Sequence, residues 1–367
     1  MSQKKPVAEC LSAWLCGNEG KLNQLIRESK FDWLDLVQLA AHELVLPALH
    51  SARTHCSSLR DLPEELTEFL KFVADSNLER NQQIVRDLAG AVSLLNTAGI
   101  EPVLLKGLAY FYLGVYDDWS ARYMTDIDLL VPESELTAAV ELLRRNGYLE
   151  DTGDAMGRYR HHHPPLRSPG GTWIELHHSL GPDRCRRILP AAEMIGRSQR
   201  LEREGVVFRV PCPTDLAIHN VLHTQLVHSY RERIWPPLSS LFDLVQLKKR
   251  FSNEIDWHSL RAQFRIQNEQ SVVDLYFLQA RHSLDFAIPD VASIETLTWA
   301  RWCRRRFLQI VPVLRFLDPI YLFSVTFRAR INILMKALQD PLGRKPIMST
   351  LMSTKFFRRL SVDLFAR

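Results

Sequence analysis

Residues 123–131, with the sequence YMTDIDLLV, constrain the fold of this chain more than any other segment. Ile127 and Leu129 alternate with polar residues, which predicts a β-strand with one apolar face. Asp126 and Asp128 share the opposite face of that strand. At positions i and i+2 their backbones stand about 6.5 Å apart, so the two carboxylates can converge on one ligand.

The pair of Asp126 and Asp128 admits two interpretations. For the pair taken alone, a strand end that faces water is the ordinary one. Alternatively, the carboxylates hold one divalent cation, or two cations about 3.5–4 Å apart, which removes the repulsion between the like charges. Features elsewhere in the chain favour the second interpretation.

Charge is unevenly distributed along the chain. The 367 residues carry a net charge of +4, but residues 301–367 contain 14 Lys or Arg against 3 Asp or Glu. The rest of the chain is therefore acidic overall. This asymmetry predicts an anionic partner for the C-terminal end, either a nucleic acid or a lipid surface. The alternative is a solvated helical face that packs on its own protein.

Cysteine spacing and hydropathy indicate a cytoplasmic protein. No two of the six cysteines have Cys-x-x-Cys spacing, and we expect all six to be reduced thiols. The N-terminus lacks an apolar run of signal-peptide length. Residues 307–327 are apolar but are interrupted by charged residues and prolines, so we predict no membrane span. Peripheral attachment to a membrane is a further option.

Changes in periodicity divide the chain into four parts. Residues 1–98 show helical spacing, including a helix from about residue 63 to about residue 98 that Gly99 ends. We expect this segment to pack on a core formed by residues 99–212, where strands and helices mix. Residues 213–330 predict a helical domain, and residues 331–367 a basic amphipathic tail.

A candidate anion site precedes the acidic strand. Residues 103–105 form a short apolar strand, Lys106 and Gly107 follow, and residues 108–114 have a helical pattern. The glycine lets the backbone approach a ligand, and the first amides of the helix point outward. Lys106 would add a positive charge for a phosphate.

Arg122 lies four residues before the acidic pair. It either pairs with a triphosphate, or holds the carboxylates in place, or forms an ordinary ion pair with Asp117 or Asp118. The sequence alone leaves these alternatives open.

A third carboxylate follows in a predicted hairpin. Residues 159–166 and 172–176 alternate as two strands around the turn at residues 168–171. The second arm places Glu175 and His177 on one face. If this arm lies beside the acidic strand, Glu175 supplies a third carboxylate to the same site. Otherwise Glu175 is a solvent-facing residue on an edge strand.

Histidines give weaker signals. Residues 161–163 are all histidine and predict either a pocket wall near Glu175 or an exposed run. His219 and His223 have the spacing of a two-histidine zinc helix, but without the catalytic Glu between them, so we favour hydrogen bonding in the core or between domains.

The glycine-rich loops of P-loop ATPases and dinucleotide enzymes and the Gly-x-Ser-x-Gly elbow of hydrolases are absent from the sequence, which disfavours those classes.

In this order, the features resemble the polymerase-beta-like nucleotidyltransferase superfamily. Within it, the chain is similar to a group of uncharacterised bacterial nucleotidyltransferase-like proteins. The helix with His219 and His223, followed by Asp243, also resembles the helical half of that group. The similarity is strongest over about residues 95–180. Three segments carry it: residues 103–107 (VLLKG), 122–131 (RYMTDIDLLV) and 174–177 (IELH).

The resemblance implies an α+β fold with a small mixed β-sheet of nucleotidyltransferase type and flanking helices. A helical segment would precede the sheet, and a helical C-terminal domain would follow it. It also implies an enzyme that moves a nucleoside monophosphate from a nucleoside triphosphate to an acceptor. That acceptor would be a small molecule, a protein or a nucleic acid.

The resemblance further implies a set of site residues. Asp126, Asp128 and Glu175 would be catalytic and would bind Mg²⁺, and Glu175 would help to deprotonate the acceptor. Three further residues would bind the nucleotide: Lys106, Gly107 and Arg122.

The phosphate turn departs from the superfamily pattern. Most members have Gly-Ser or Gly-Gly there, whereas Leu108 follows Gly107 in this chain. One alternative function is therefore a catalytically inactive nucleotide-binding or scaffold protein of the same fold. Another is a binder of nucleic acid or membrane surface that acts through the basic tail.

Overall fold

A mixed β-sheet and the helices that cover it make up the fold, as seen in a computed structural model. The structure describes residues 4–28, 32–53, 56–59, 62–151, 161–228 and 238–287, together with Pro289, Thr298 and Trp302. The predicted basic tail at residues 331–367 lies outside the described residues.

The described sheet has seven strands: β1 Val103–Leu104, β2 Asp126–Leu130, β3 Leu149–Glu150, β4 Leu166–Arg167, β5 Trp173–His177, β6 Gln199–Arg203 and β7 Val206–Val210. Their order is β3-β4-β5-β2-β1-β7-β6. β2 lies in the middle, parallel to β5 on one side and antiparallel to β1 on the other. The strand that carries the acidic pair therefore has a hydrogen-bonded neighbour on both edges.

Helices precede, interrupt and follow the sheet. The N-terminal ones are α1 Lys4–Leu15, α2 Glu19–Glu28, α3 Trp33–His42, α4 Leu46–Arg53, a 3₁₀ turn Ser57–Leu59 and α5 Glu64–Thr97. Those between strands are α6 Lys106–Tyr112, α7 Leu136–Arg145, α8 Asp183–Ile188 and α9 Ala191–Arg197. Those after the sheet are α10 Pro213–Leu222, a π-helical turn His223–Val227, α11 Leu238–Arg250, α12 Trp257–Ile266 and α13 Gln270–Leu284. Among the described helices, none is both long enough and apolar enough to cross a membrane.

The long helix α5 confirms the prediction for residues 63–98. It continues through Gly90, where an added Cβ would meet only the Tyr148 hydroxyl, at 3.6 Å. Gly99 follows the helix with a φ of +74°, a left-handed conformation that glycine adopts without steric cost.

Two buried asparagines on α5 fix the loop that leads into β2. The side-chain amide of Asn77 donates to the carbonyls of Ser120 at 2.7 Å and Arg122 at 3.0 Å. The amide of Asn81 donates to the carbonyls of Trp119 at 2.7 Å and Arg122 at 2.9 Å. The helix thereby sets the path of the chain just before the acidic strand.

The predicted hairpin is present within the described residues. Leu166 of β4 pairs with Ile174 of β5, and the amide of Ser168 donates to the carbonyl of Thr172 at 2.8 Å to close the turn. Residues 152–160, which include the start of the predicted first arm, lie outside the described residues.

Most of the C-terminal elements also agree with the sequence. The apolar spacing of residues 215–228, 241–249 and 272–286 predicts three helices, which correspond to α10 with its π-helical turn, α11 and α13. Residues 206–210 (VVFRV) have the pattern of a short β segment and form β7. Its partner β6 was not predicted, because four of its five residues (QRLER) are polar and exposed at the edge of the sheet.

A continuous hydrophobic core joins these parts, from Val7 in α1 to Phe286 after α13. Trp14 is fully buried in it, and its indole donates to the carbonyl of Leu49 at 3.1 Å. The predicted α+β class, with helices before and after the sheet, is confirmed. The domain boundaries at residues 98, 212 and 330 remain a prediction.

We expect Asn81→Ala to lower the free energy of unfolding by about 1–2 kcal/mol, because it removes two hydrogen bonds from the loop before β2. Urea unfolding followed by circular dichroism measures the change. Gln82→Ala is the matched control, since Gln82 is an exposed amide on the same helix. Equal losses in the two variants would show that the loop contacts of Asn81 contribute nothing.

Candidate active site

β2 and β5 lie side by side, parallel and in register. This is the arrangement in which Glu175 supplies a third carboxylate. Asp128 lies opposite Glu175, and Asp126 lies opposite Trp173. Residues at matching positions of paired strands point to the same face, so the three carboxylates share one face. The other face is apolar and buried, with Ile127, Leu129, Ile174 and Leu176.

Asp128 is the centre of the site. It is only 3% exposed, and its Oδ1 accepts hydrogen bonds from Lys106 Nζ at 2.6 Å and from His177 Nε2 at 2.8 Å. Burial raises the pKa of Asp128, but the charge of Lys106 and the hydrogen bond from His177 outweigh it and hold the pKa well below its usual range. The carboxylate is therefore ionised at neutral pH.

His177 connects two of the carboxylates. Its Nε2 lies 2.8 Å from Asp128 Oδ1 and 3.4 Å from Glu175 Oε2, and the side chain is 2% exposed. Burial lowers the pKa of His177, but the hydrogen bonds to Asp128 and Glu175 raise it overall. The predicted site residues did not include His177, although its i, i+2 spacing from Glu175 placed both on one face.

Asp128, Glu175 and His177 could together hold a metal ion. Their potential ligand atoms all lie within 4.8 Å of one another. Among the described residues, no other group of three or more His, Cys, Asp or Glu side chains comes this close together. Carboxylate oxygens suit Mg²⁺, and an imidazole adds affinity for ions such as Mn²⁺. The donor set thus fits a divalent cation. The predicted set, with Asp126 in place of His177, remains a prediction.

Asp126 borders this group at the more exposed end of β2. Its Oδ1 accepts from the Thr125 hydroxyl at 3.3 Å. Burial and the charge of Asp128 raise the pKa of Asp126 to about 6, although Lys106 opposes the shift. Asp126 is therefore the carboxylate whose charge the surrounding residues balance least.

Lys106 and Gly107 are the first two residues of α6, at the turn where the chain leaves β1. Lys106 has a φ of +47°, an uncommon conformation for a residue with a side chain. A Cβ added to Gly107 would lie 2.3 Å from Arg122 Nη1 and 2.6 Å from Met124 Sδ. A larger residue here would displace one or both of these side chains, which pack against the turn. The predicted contact of Gly107 with phosphate remains a prediction.

Arg122 forms a bidentate ion pair with Asp243 of α11 through one edge of its guanidinium. Nε lies 2.9 Å from Oδ1, and Nη2 lies 2.9 Å from Oδ2. The ordinary ion pair that the sequence allowed is therefore present, but with Asp243 instead of Asp117 or Asp118. It ties the loop before β2 to the C-terminal helices. A contact of Arg122 with a triphosphate remains a prediction.

A cavity of about 140 Å³ lies beside Lys106, between the N-terminal helices, α6 and the C-terminal helices, and the three carboxylates do not line it. Lys106 and Arg122 line it, and so do His219 and His223. Burial lowers the pKa of His219 to about 3 and that of His223 well below its usual range, so both imidazoles are neutral at neutral pH. Ligand pockets for whole drug-sized molecules are larger, at about 300–1,000 Å³.

His161 and His162 pack around His177. Their ring centroids lie 5.4 Å and 5.2 Å from that of His177. His162 also pairs with His177 through an isolated antiparallel bridge, and it is 7% exposed. Neither histidine is fully exposed, which disfavours the exposed run, and their place in a pocket wall near Glu175 remains a prediction.

The comparison with protein families agrees with this geometry. A family model described as an uncharacterised nucleotidyltransferase matches residues 29–285, which is more than half of the chain. The chain belongs to this family. The match includes the whole sheet and all the residues of the site. A search of curated proteins finds no match.

We expect Asp126→Asn to raise the free energy of unfolding at about pH 8 by about 1–2 kcal/mol. The folded-state pKa of Asp126 is raised from 3.8 to about 6, so wild type loses stability as the pH rises through this range and the carboxylate ionises. The asparagine avoids that loss. Near pH 4 the wild-type carboxyl is protonated in the folded state, and the two proteins should differ little.

Urea unfolding at several pH values tests this expectation, with Asp117→Asn as the control at an exposed position of the neighbouring loop. A stability gain that does not change with pH would contradict the raised pKa of Asp126.

The ion pair between Arg122 and Asp243 should be strongly coupled. Arg122→Met leaves the 8%-exposed Asp243 without its charged partner, with only the Tyr116 hydroxyl still donating to it, and should cost about 3 kcal/mol of unfolding free energy. The double variant Arg122→Met/Asp243→Leu should lose clearly less than the sum of the single variants, because no charge is left unpaired. Urea unfolding of all four proteins gives the coupling energy. Additive losses would show that the pair is not a stabilising link.

Proposed function

We propose that the protein is a metal-dependent nucleotidyltransferase, which moves a nucleoside monophosphate from a nucleoside triphosphate to an acceptor. One observation carries the proposal: Asp128 and Glu175 meet on the same face of two parallel strands, with Asp126 beside them. Membership of the nucleotidyltransferase family supports it.

In the proposed reaction, an acceptor oxygen forms a bond to the α-phosphorus while the bond to the leaving pyrophosphate breaks. When bound, Mg²⁺ supplies charge neutralisation on the triphosphate and on the entering and leaving oxygens. Asp126, Asp128 and Glu175 would hold it, because hard cations favour carboxylate oxygens. Lys106, Gly107 and Arg122 are the proposed contacts of the nucleotide.

Glu175 is better placed than Asp128 to accept a proton. Its side chain is 22% exposed, whereas that of Asp128 is 3% exposed, so an acceptor can approach it. Burial raises the pKa of Glu175, but the hydrogen bond with His177 lowers it overall. An ionised carboxylate at the edge of the site can take the proton of an acceptor hydroxyl.

The packing of the phosphate turn supports a second candidate, a nucleotide-binding or scaffold protein without turnover. Arg122 is held by Asp243, and Gly107 is covered by Arg122 and Met124. Pyrophosphate release with a broad panel of acceptors separates the two functions. Sustained pyrophosphate release, at a rate typical of an enzyme, would exclude the function as a scaffold without turnover.

The basic tail remains a separate prediction, because residues 303–367 lie outside the described residues. A nucleic acid or an anionic membrane surface is its proposed partner. The cytoplasmic location also remains a prediction.

We expect Asp126→Asn/Asp128→Asn to bind ATP, GTP, CTP and UTP in the presence of Mg²⁺ at least about tenfold more weakly than wild type. The two carboxylates would otherwise hold the cation that accompanies the triphosphate. Isothermal titration calorimetry measures the affinities, and circular dichroism checks the fold. Asp117→Asn is the matched control. Equal affinity in the double variant would place the nucleotide site elsewhere.

A further inference from the structure

The ammonium of Lys106 lies where a cation would be expected. Its Nζ is 2.6 Å from Asp128 Oδ1, and its side chain is 19% exposed. Its charge also acts on Glu175 and Asp126, and these three carboxylates together favour the charged form of the lysine against its burial. Three negative groups therefore already share one internal cation.

A metal ion on Asp128 would compete with this lysine. Oδ1 of Asp128 already accepts from two donors, Lys106 and His177. A divalent cation bound to the same oxygen would lie within a few ångströms of the ammonium. The repulsion between such charges is severe in a buried site, so one of the two has to move.

Lys106 has a place to move to. Lys106 contacts Asp128 and also lines the cavity of about 140 Å³. The backbone of the turn is fixed, because the amide of Leu105 donates to the carbonyl of Asp128 at 3.0 Å. Rotation of the lysine side chain alone can therefore take the ammonium away from Asp128.

We propose that Lys106 is an internal counter-ion that keeps free divalent cations out of the site until a nucleotide arrives. The phosphates of the nucleotide attract the ammonium, which releases Asp128 for the cation that accompanies them. Cation binding and nucleotide binding are then coupled, and the metal enters together with the triphosphate. This inference rests on the proposed function.

Mn²⁺ binding, followed by electron paramagnetic resonance, tests the inference without measuring activity. In the absence of nucleotide, Lys106→Met should bind Mn²⁺ at least about tenfold more tightly than wild type. Lys106→Arg keeps the charge and should bind Mn²⁺ as weakly as wild type. In wild type, a non-hydrolysable ATP analogue should tighten Mn²⁺ binding by a similar factor.

Two results would overturn the inference, and they differ in what they mean for the proposed function. If wild type binds Mn²⁺ with the analogue, but Lys106→Met binds free Mn²⁺ no better than wild type, Lys106 does not compete and the proposed function stands. If neither protein binds Mn²⁺ with or without the analogue, the metal site and the proposed function both fail.

A measurement on wild type covers the case in which Lys106→Met does not fold. The ¹⁵N or ¹³C signal of the Lys106 side chain, assigned with the Lys106→Arg variant, should shift when Mg²⁺ and the analogue are added together. Mg²⁺ alone, at the same concentration, should leave the signal in place. An equal shift with Mg²⁺ alone would show that free cation displaces the lysine, and would overturn the inference.

Discussion

The buried carboxylate of Asp128 is the constraint on which the rest of the site depends. A carboxylate that is 3% exposed is strongly destabilising unless charged and hydrogen-bonding partners surround it. Lys106 and His177 meet that requirement on a single oxygen, from opposite sides of β2 in the sheet. β1 and its turn supply the lysine, and β5 supplies the histidine. The central position of β2 is thus an electrostatic requirement as well as a topological one.

Helices that contribute nothing to the carboxylate cluster determine how the chain enters it. Asn77 and Asn81 of α5 hold the carbonyls of the loop before β2, and Asp243 of α11 holds the guanidinium of Arg122 from the same loop. Arg122 in turn packs against Gly107, where a larger residue would displace it or Met124. The long helix α5, the turn at Lys106 and Gly107, and helix α11 are therefore all connected through one arginine.

Local patterns predicted the elements, and long-range pairing determined the site. Alternation identified β2, and a single helical stretch closed by Gly99 identified α5, because both signals lie within short windows of sequence. The partner of Arg122 could not be found in this way, since Asp243 is 121 residues distant in the chain. His177 carried a signal in its spacing from Glu175, but only the parallel register shows that its Nε2 reaches Asp128. The resemblance to the family supplied the link between these pieces.

The charges of the cluster explain why it suits a cation. Asp126, Asp128 and Glu175 face one lysine and one histidine, and the residual negative charge falls on Asp126, whose pKa rises to about 6. A fold selected for stability alone would replace such a residue with a neutral one. A divalent cation removes the imbalance, because it brings the positive charge that Lys106 and His177 do not supply. The same imbalance makes the position of Lys106 consequential: while the lysine stays on Asp128 it lowers the attraction for a free cation, and once phosphates draw it away the full charge of the carboxylates is available.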